Sequence, residues 1–589
     1  MKHYTRDEIY QSLKKHEGVN LAFTDEDRKR ALANPYLKER FEGLISAGDY
    51  LRTVPTPILT FSSMKRFEAD GNRTEFEHDY FLRRNKLLTY ACLAWFYGKE
   101  EDIVELENIC FEICNEYTWS VSAHLRGTLL TRLQEDGHMI DLFAAETASA
   151  LAETLALVGD KLEPVVRMRI ERNIEERIFS RAFEKFHWSS GSRGNWVAVC
   201  AGSVGMAAMY MMKDTNRLAD LLAHLIEVLH NYNDGFADDG CCTEGVGYWN
   251  YGFGFFAHFA EMLRRLTGGE IDLFDDPKFK AAAEGYQKYF MTGVRSVVFA
   301  DSGSGAHFSA FNCFLAKEYD TVKIPPVEYF NFKYPTTGCF RFVHELRCFV
   351  WCDDDIEKRS ESLVGANIFE NAQWYIAFSE SGVGFAAKAG HNGEFHNHND
   401  VGSFQLYKNG ETMLADIGSG EYVKAYFGER RYEFFCNSSA SHNLPVVNGK
   451  YQSKGMEHGA RDVVMSETGI RADIAGAYDD ETLLHLVRDI TFDTKSGVAT
   501  ITDEVEFTEQ PTAYSERFIT VTEPTLTEKG ILIRTGEASC ELLYDTALLD
   551  AKVTPVWDKA HRGTDRLTYV TDLTPKTLSG TMKFKFIIK

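Results

Sequence analysis

The chain is short of positive charge: 64 Lys and Arg stand against 87 Asp and Glu, for a formal net charge of −23. That balance argues against a general nucleic-acid binder, and any polyanionic ligand would need a local basic patch. No apolar run is long and clean enough to predict a membrane span. The first residues, MKHYTRDEIYQSLKKHEG, lack the apolar stretch of a secretion signal, so the expectation is a cytoplasmic protein, or a periplasmic or secreted one if a leader has been removed. Twelve cysteines, with the pair Cys241-Cys242 among them, show no spacing of a zinc ribbon or disulfide framework and are expected to be reduced and buried. There is also no low-complexity tract and no sharp Pro/Gly linker, although 589 residues exceed one core and imply two or three domains. The expected domains therefore touch without a long tether.

Apolar spacing changes once along the chain. Leu87, Tyr90, Ala91, Ala94 and Trp95 fall on one helical face with Gly98 placed to end the helix, and Leu218, Leu221, Leu222, Leu225 and Leu229 repeat the pattern. Between them Val197 to Met212 is apolar on all sides, which suits a helix enclosed by others. From about Tyr334 the period becomes two, in CFRFVHELRCFVWCD, WYIAFSE, GVATITDEVEFTE and TMKFKFIIK. The pattern predicts a helical domain over 1–325 and an antiparallel β domain over 326–589, with a smaller C-terminal β subdomain as a further option.

Three polar constellations stand on this scaffold. Phe404, Leu406, Met413 and Leu414 flank Asn409-Gly410, which predicts a hairpin with a primed two-residue turn. Just before and after it lie His391, His396, His398, Asp400 and Asp416, followed by His442 in SSASHNLP. Such a His/Asp set can hold a divalent metal, zinc first and manganese or calcium as alternatives; it could equally be polar residues satisfied by one another and by water. The second, DDGCCTEGVGYWNYGFGFF, sets Glu244, Tyr248 and Tyr251 among glycines before an apolar helix. Its tyrosines are either acid/base groups or helix-corner packing. The third, SSGSRGNWVAVC, puts Asn195 before the apolar helix, as an N-cap or as part of an anion site.

Taken together, FHNHNDVGSF with ADIG, SSASHN, EGVGYWNY, GNWVAV and FADSGSG resemble the heparinase II/III-like polysaccharide lyases in order and interval, from Trp119, His124 and Asp141 to His442. The resemblance implies an N-terminal (α/α) toroid followed by an antiparallel β-sandwich, with the active-site cleft between them, and β-elimination of uronate-containing glycans, glycosaminoglycans first and alginate as the alternative. Carried over by position, it makes Tyr248 the catalytic tyrosine, Asn195 the residue that neutralises the substrate carboxylate and His396 its cleft-facing partner. It makes His398, Asp416 and His442 the metal ligands, with the metal structural. His124, Arg126, Arg193, Trp196, Glu244, Tyr251 and Arg430 are the expected substrate contacts, with Arg431 a further candidate for the carboxylate.

Two points sit awkwardly. Alternation on a strand would send His396 and His398 to one side, so a bulge or loop is expected at Asn397. Some relatives carry a His after the asparagine where this chain has Trp196, which cannot accept a proton; Tyr248, its pKa lowered by cationic neighbours, is then expected to act as base and then acid. Two other classes remain. One is a metal-dependent glycan hydrolase using His398, Asp416 and His442, with Glu244 or Asp400 as base. The other is a non-catalytic glycan-binding protein of the same fold. The expected partner throughout is an acidic polysaccharide or oligosaccharide, with no nucleic acid or membrane.

Overall fold

The structure, a computed structural model, describes residues 1–125, 138–303 and 308–589. Arg126 lies outside the described residues. The first half is a stack of helices around the largely apolar Asn195–Met211, which packs on Leu142–Val158, Thr215–Asn233 and Gly254–Leu266. Only Trp196 and the C-terminal Tyr210 and Met211 of this central helix escape full burial. As expected, Thr74–Phe96 ends at Gly98, whose φ of 63° lets its N–H return to the Leu93 carbonyl at 3.3 Å.

The stretch Leu142–Lys161 meets the length and hydropathy of a membrane span, contrary to the sequence expectation, yet 72% of it is buried inside the protein. It is a core helix, with Glu153 held by Arg347 at 3.1 Å.

The expected boundary near residue 325 comes too early. CFRFVHELRCFVWCD, expected as a strand, contains the helix Phe342–Val350, and the helical region runs on to Arg359. Tertiary pairing overrides strand propensity here: Glu345 binds the buried Arg40, and Arg347 binds Glu153. The sandwich begins at Gly365 with a five-stranded antiparallel sheet, Gly365–Phe369, Trp374–Phe378, Val383–Lys388, Phe404–Lys408 and Glu411–Leu414. Asn409 (φ 51°) and Gly410 (φ 83°) make the predicted primed turn between its last two strands.

An eight-stranded and a four-stranded antiparallel sheet, with the two-stranded pair His391–Asn392 and Gly455–Gly459, complete the second half among the described residues. One hydrophobic core joins the three larger sheets, including Phe385 and Phe404 of the first, Ile490 and Phe586 of the second and Phe518 and Leu573 of the third. The five-stranded sheet is buried on both faces because alternate residues point opposite ways. Tyr375 and Ala377 face that β core, whereas Trp374, Ile376 and Phe378 join the core of the helical half. The fold is therefore a helical (α/α) toroid followed by a β-sandwich, welded through a shared sheet. All twelve cysteines are free, and ten are buried.

Candidate active site

Gly245 begins the tyrosine loop. Its φ of 104° and a clearance that would put a β-carbon 2.6 Å from Ser302 Cβ press this loop onto the residues beside Asp301. The chain then makes one helical turn, Val246–Tyr248, and a π-helical turn, Trp249–Phe253, before the helix Gly254–Leu266. Such π turns recur at functional sites because the extra residue re-aims side chains. Here Trp249 and Tyr251 go into the core while Tyr248 stays half-buried.

The Tyr248 hydroxyl lies 2.9 Å from that of Tyr422 and 3.4 Å from His396 Nδ1, and its ring stacks on the imidazole with centroids 4.4 Å apart. Burial pushes the Tyr248 phenol above its ordinary pKa, with Asp301 and Glu244 adding to the effect against Tyr422 and Arg431. The sequence expectation was a depressed pKa; the structure gives the opposite direction, because burial dominates and the Asp301 charge adds to it.

That anion, Asp301, is the hub of the site. Its carboxylate accepts from His396 Nδ1 at 2.8 Å, His398 Nε2 at 3.1 Å, Arg431 Nη2 at 2.9 Å and the Tyr426 hydroxyl. Burial alone would raise its pKa, but the two imidazoles and Arg431 hold it well below the usual carboxylate range. His396 and His398 lie in a loop after the short strand His391–Asn392 rather than near the start of a strand. His396 takes a left-handed φ of 54°, which costs about 1–3 kcal/mol in a non-glycine residue. The twist answers the alternation problem: His396 turns toward Tyr248 and His398 toward the interior, although both grip the same carboxylate. Arg431 fixes the loop by donating to the Asn397 carbonyl at 3.0 and 3.1 Å.

Behind this layer His398, Asp416 and His442 bring one ligand atom each within 4.8 Å of one another, all buried. Their outer atoms are already used. His398 Nε2–H donates to Asp301, His442 Nε2–H donates to the Cys436 carbonyl at 3.2 Å, and Asp416 Oδ1 accepts from the Gly418 N–H at 2.9 Å. The inner atoms, His398 Nδ1, His442 Nδ1 and Asp416 Oδ2, have no hydrogen-bond partner, although His442 Nδ1 and Asp416 Oδ2 pair electrostatically at 3.4 Å. Three buried, unsatisfied donors of electron pairs facing one point fit a divalent cation, with each His oriented by an outer partner. His391 and Asp400 are not part of this trio. His391 Nδ1 caps the Gly393 N–H, and Asp400 is paired with buried Lys388 at 2.8 Å.

The other expected contacts divide. Asn195 is the first residue of its helix, not the cap; Gly194 is the cap, and the Asn195 N–H supports the Glu244 carboxylate. Burial raises the Glu244 pKa, partly offset by nearby His396 and by that N–H. Trp196 lies half-buried, its ring 4.7 Å from His124, whose Nδ1 donates to Asp141 at 2.7 Å. Tyr251, expected at the substrate, is instead buried, its hydroxyl bonded to Glu146 and its face covered by Arg341 3.3 Å from the centroid. Arg193 is exposed on the loop before Gly194. Arg430 points to solvent and pairs with Glu433 at 2.7 Å, so the arginine of the site is its neighbour Arg431. Accordingly, Arg430→Ala should leave stability and activity within about 0.5 kcal/mol of the parent. Arg431→Ala should cost about 1.5–3 kcal/mol by stripping charged hydrogen bonds from Asp301 and Asn397. Denaturant unfolding of the pair checks this, and equal losses would mean that the clamp is unimportant.

Sequence reasoning missed Asp301, Tyr422 and Tyr426 as members of the site. Asp301 stands inside the FADSGSG stretch that carried the resemblance, and that was its one available signal.

Residues 365–515 match the family model described as Heparinase II/III-like, C-terminal. No curated protein matches the chain by sequence. Among solved structures it is similar to a heparinase III, with 13% identity, TM-score 0.59 and coverage of 95% of this chain and 93% of that one. It is also similar to the heparan sulfate lyase HepC of Pedobacter heparinus, with 13% identity, TM-score 0.56 and coverage of 99% and 92%. A chondroitin AC lyase of Streptomyces coelicolor A3 follows at 11% identity, TM-score 0.53 and coverage of 99% and 82%. Residues 365–515 thus carry a heparinase II/III-like C-terminal domain, and the chain as a whole shares the fold of these lyases.

Proposed function

We propose that the chain is a polysaccharide lyase that cleaves a uronate-containing glycan, glycosaminoglycan in type, by β-elimination. The observation that carries this reading is the Tyr248–His396 pair: a phenol that burial keeps protonated, stacked on an imidazole whose Nδ1–H is tied to buried Asp301. Elimination needs a base for the C5 proton and an acid for the departing O4. With Nδ1–H committed to Asp301, the lone pair of His396 is at Nε2 and serves as the base. Tyr248 gives its proton to O4 and recovers one through the Tyr422 hydroxyl beside it. The two groups stand side by side, which suits a uronate whose C5 hydrogen and O4 lie on one face of the ring.

Removing a proton next to a carboxylate requires that the carboxylate be neutralised. Asn195 opens the central helix, where a positive dipole end favours an anion. Glu244, whose carboxylate accepts from the Asn195 N–H, stands at the same end with its pKa raised by burial. A divalent cation, zinc by the His/His/Asp donor set, would be held by His398, Asp416 and His442. Bound there it supplies charge that fixes the loop carrying His396. The rival hydrolase reading fits less well, because His398 is already tied through Nε2 to Asp301 and Asp400, a candidate base, is neutralised by Lys388.

Ultraviolet absorbance of the protein mixed separately with hyaluronan, chondroitin sulfate, heparan sulfate, heparin and alginate tests the reading. Absorbance from an unsaturated uronate should rise with at least one glycosaminoglycan. New reducing ends without absorbance would mean hydrolysis, and neither signal would leave a binding protein.

A further inference from the structure

The long hairpin Leu549–Lys559 and Asp565–Pro575 lies beyond the residues matched by the family domain, and its turn reaches the cleft. The turn, Ala560-His561-Arg562-Gly563-Thr564, closes with Gly563 at φ 76° and the Ala560 N–H on the Thr564 carbonyl at 2.9 Å. It is pinned to the segment that carries Tyr422. Ala560 pairs with Gly420, His561 Nδ1 lies 3.4 Å from Ser419 Oγ, and Arg566 donates to the Ser419 carbonyl at 3.4 Å. The His561 ring meets Tyr422 edge-on at 4.3 Å, so one side chain separates it from the Tyr248 hydroxyl.

The same turn crosses to the helical half. Arg562 lies so close to Gly338 that a β-carbon there would stand 2.1 Å from its Nη2. On the helical side Arg73 Nη2 is 3.4 Å from His124 Nε2, with Glu77 as its acidic partner. Desolvation in the packed turn lowers the His561 pKa, Arg562 and Arg73 adding to the effect and Asp301 opposing it. Glu421 stands against Gly563 as the remaining acid. Two arginines beside two imidazoles give the cleft a local basic patch in a chain of net charge −23.

We infer that Arg562 and Arg73, flanked by the His561 and His124 imidazoles, form a basic end wall of the cleft that binds an anionic group, sulfate or carboxylate, on the sugar next to the one cleaved. This rests on the lyase reading above. The wall is built on a pinned turn, so it is present before substrate arrives and selects for chains charged at that position.

Steady-state kinetics of Arg562→Gln, Arg562→Lys and His561→Ala test it, on hyaluronan and heparan sulfate oligosaccharides over a series of salt concentrations. For Arg562→Gln the expected result is a rise in KM of about tenfold, the weight of one charge-assisted contact. The change should sit mostly in KM, with a flatter salt dependence and partial rescue in Arg562→Lys. A loss on both glycans identifies a carboxylate, and a loss on heparan sulfate alone identifies a sulfate. Unchanged KM and salt slope in both Arg562→Gln and His561→Ala, at unchanged melting temperature, would overturn the end wall and leave the turn as a clamp between halves. If the parent cleaves none of the polymers named above, the lyase reading has failed. Calorimetric binding of the same oligosaccharides then decides the wall by itself: weaker binding in Arg562→Gln supports it, and equal or absent binding refutes it.

Discussion

Replacing Tyr248 by phenylalanine should lower kcat by about 10²–10⁴-fold, the range of a lost general acid, while KM changes little. The substitution removes one oxygen from a half-buried ring and leaves its stack on His396 intact, so the fold should survive. Elimination would then have no proton for O4, and absorbance from unsaturated product should nearly vanish. Tyr422→Phe offers a graded comparison. Its hydroxyl touches Tyr248 at 2.9 Å and would only return protons, so a smaller loss is expected. Should Tyr248→Phe keep the parent's kcat, another group is the acid and the stacked pair is a packing motif.

The second large effect is expected at the buried trio. His442→Ala removes one of three converging ligand atoms and leaves the Asp416 carboxylate, now held low against burial chiefly by His442, without its main partner. Breaking such a buried pair costs about 3–5 kcal/mol. Elemental analysis should find a divalent metal in the parent and little in the variant, and a strong chelator should move the parent's melting curve toward the variant's. A parent that carries no metal and ignores the chelator would make the trio a polar core. The activity lost on metal removal should follow the order of the His396 loop, because His398 and His396 share Asp301.

How much of this could be read from sequence depends on range. The Asn409-Gly410 turn, the enclosed helix Asn195–Met211 and the stop at Gly98 are local and were legible, because dihedral preference and periodicity decide them. Phe342–Val350 was not. Its apolar residues suit either period, and partners more than a hundred residues away, Arg40 and Glu153, select the helix. The site divides in the same way. Tyr248, His396 and the trio announce themselves by residue type and interval. Asp301 is a single aspartate 95 positions from His396, and only folding brings it there. Between Arg430 and Arg431 the sequence gives no ground for choice, because which one faces inward is set by the turn Arg431–Glu433.

The five-stranded sheet gives its two faces to two different cores. Phe378 packs edge-on against Phe290, and Trp374 against Phe299, on one side, while Phe385 stacks on Phe492 on the other. Neither half can complete its interior alone: a chain cut at the helix–sandwich junction would leave this sheet with a bare aromatic face open to aggregation. Folding and unfolding are thereby coupled across the molecule. A hinge between the halves would have to tear this shared sheet from one of its two cores.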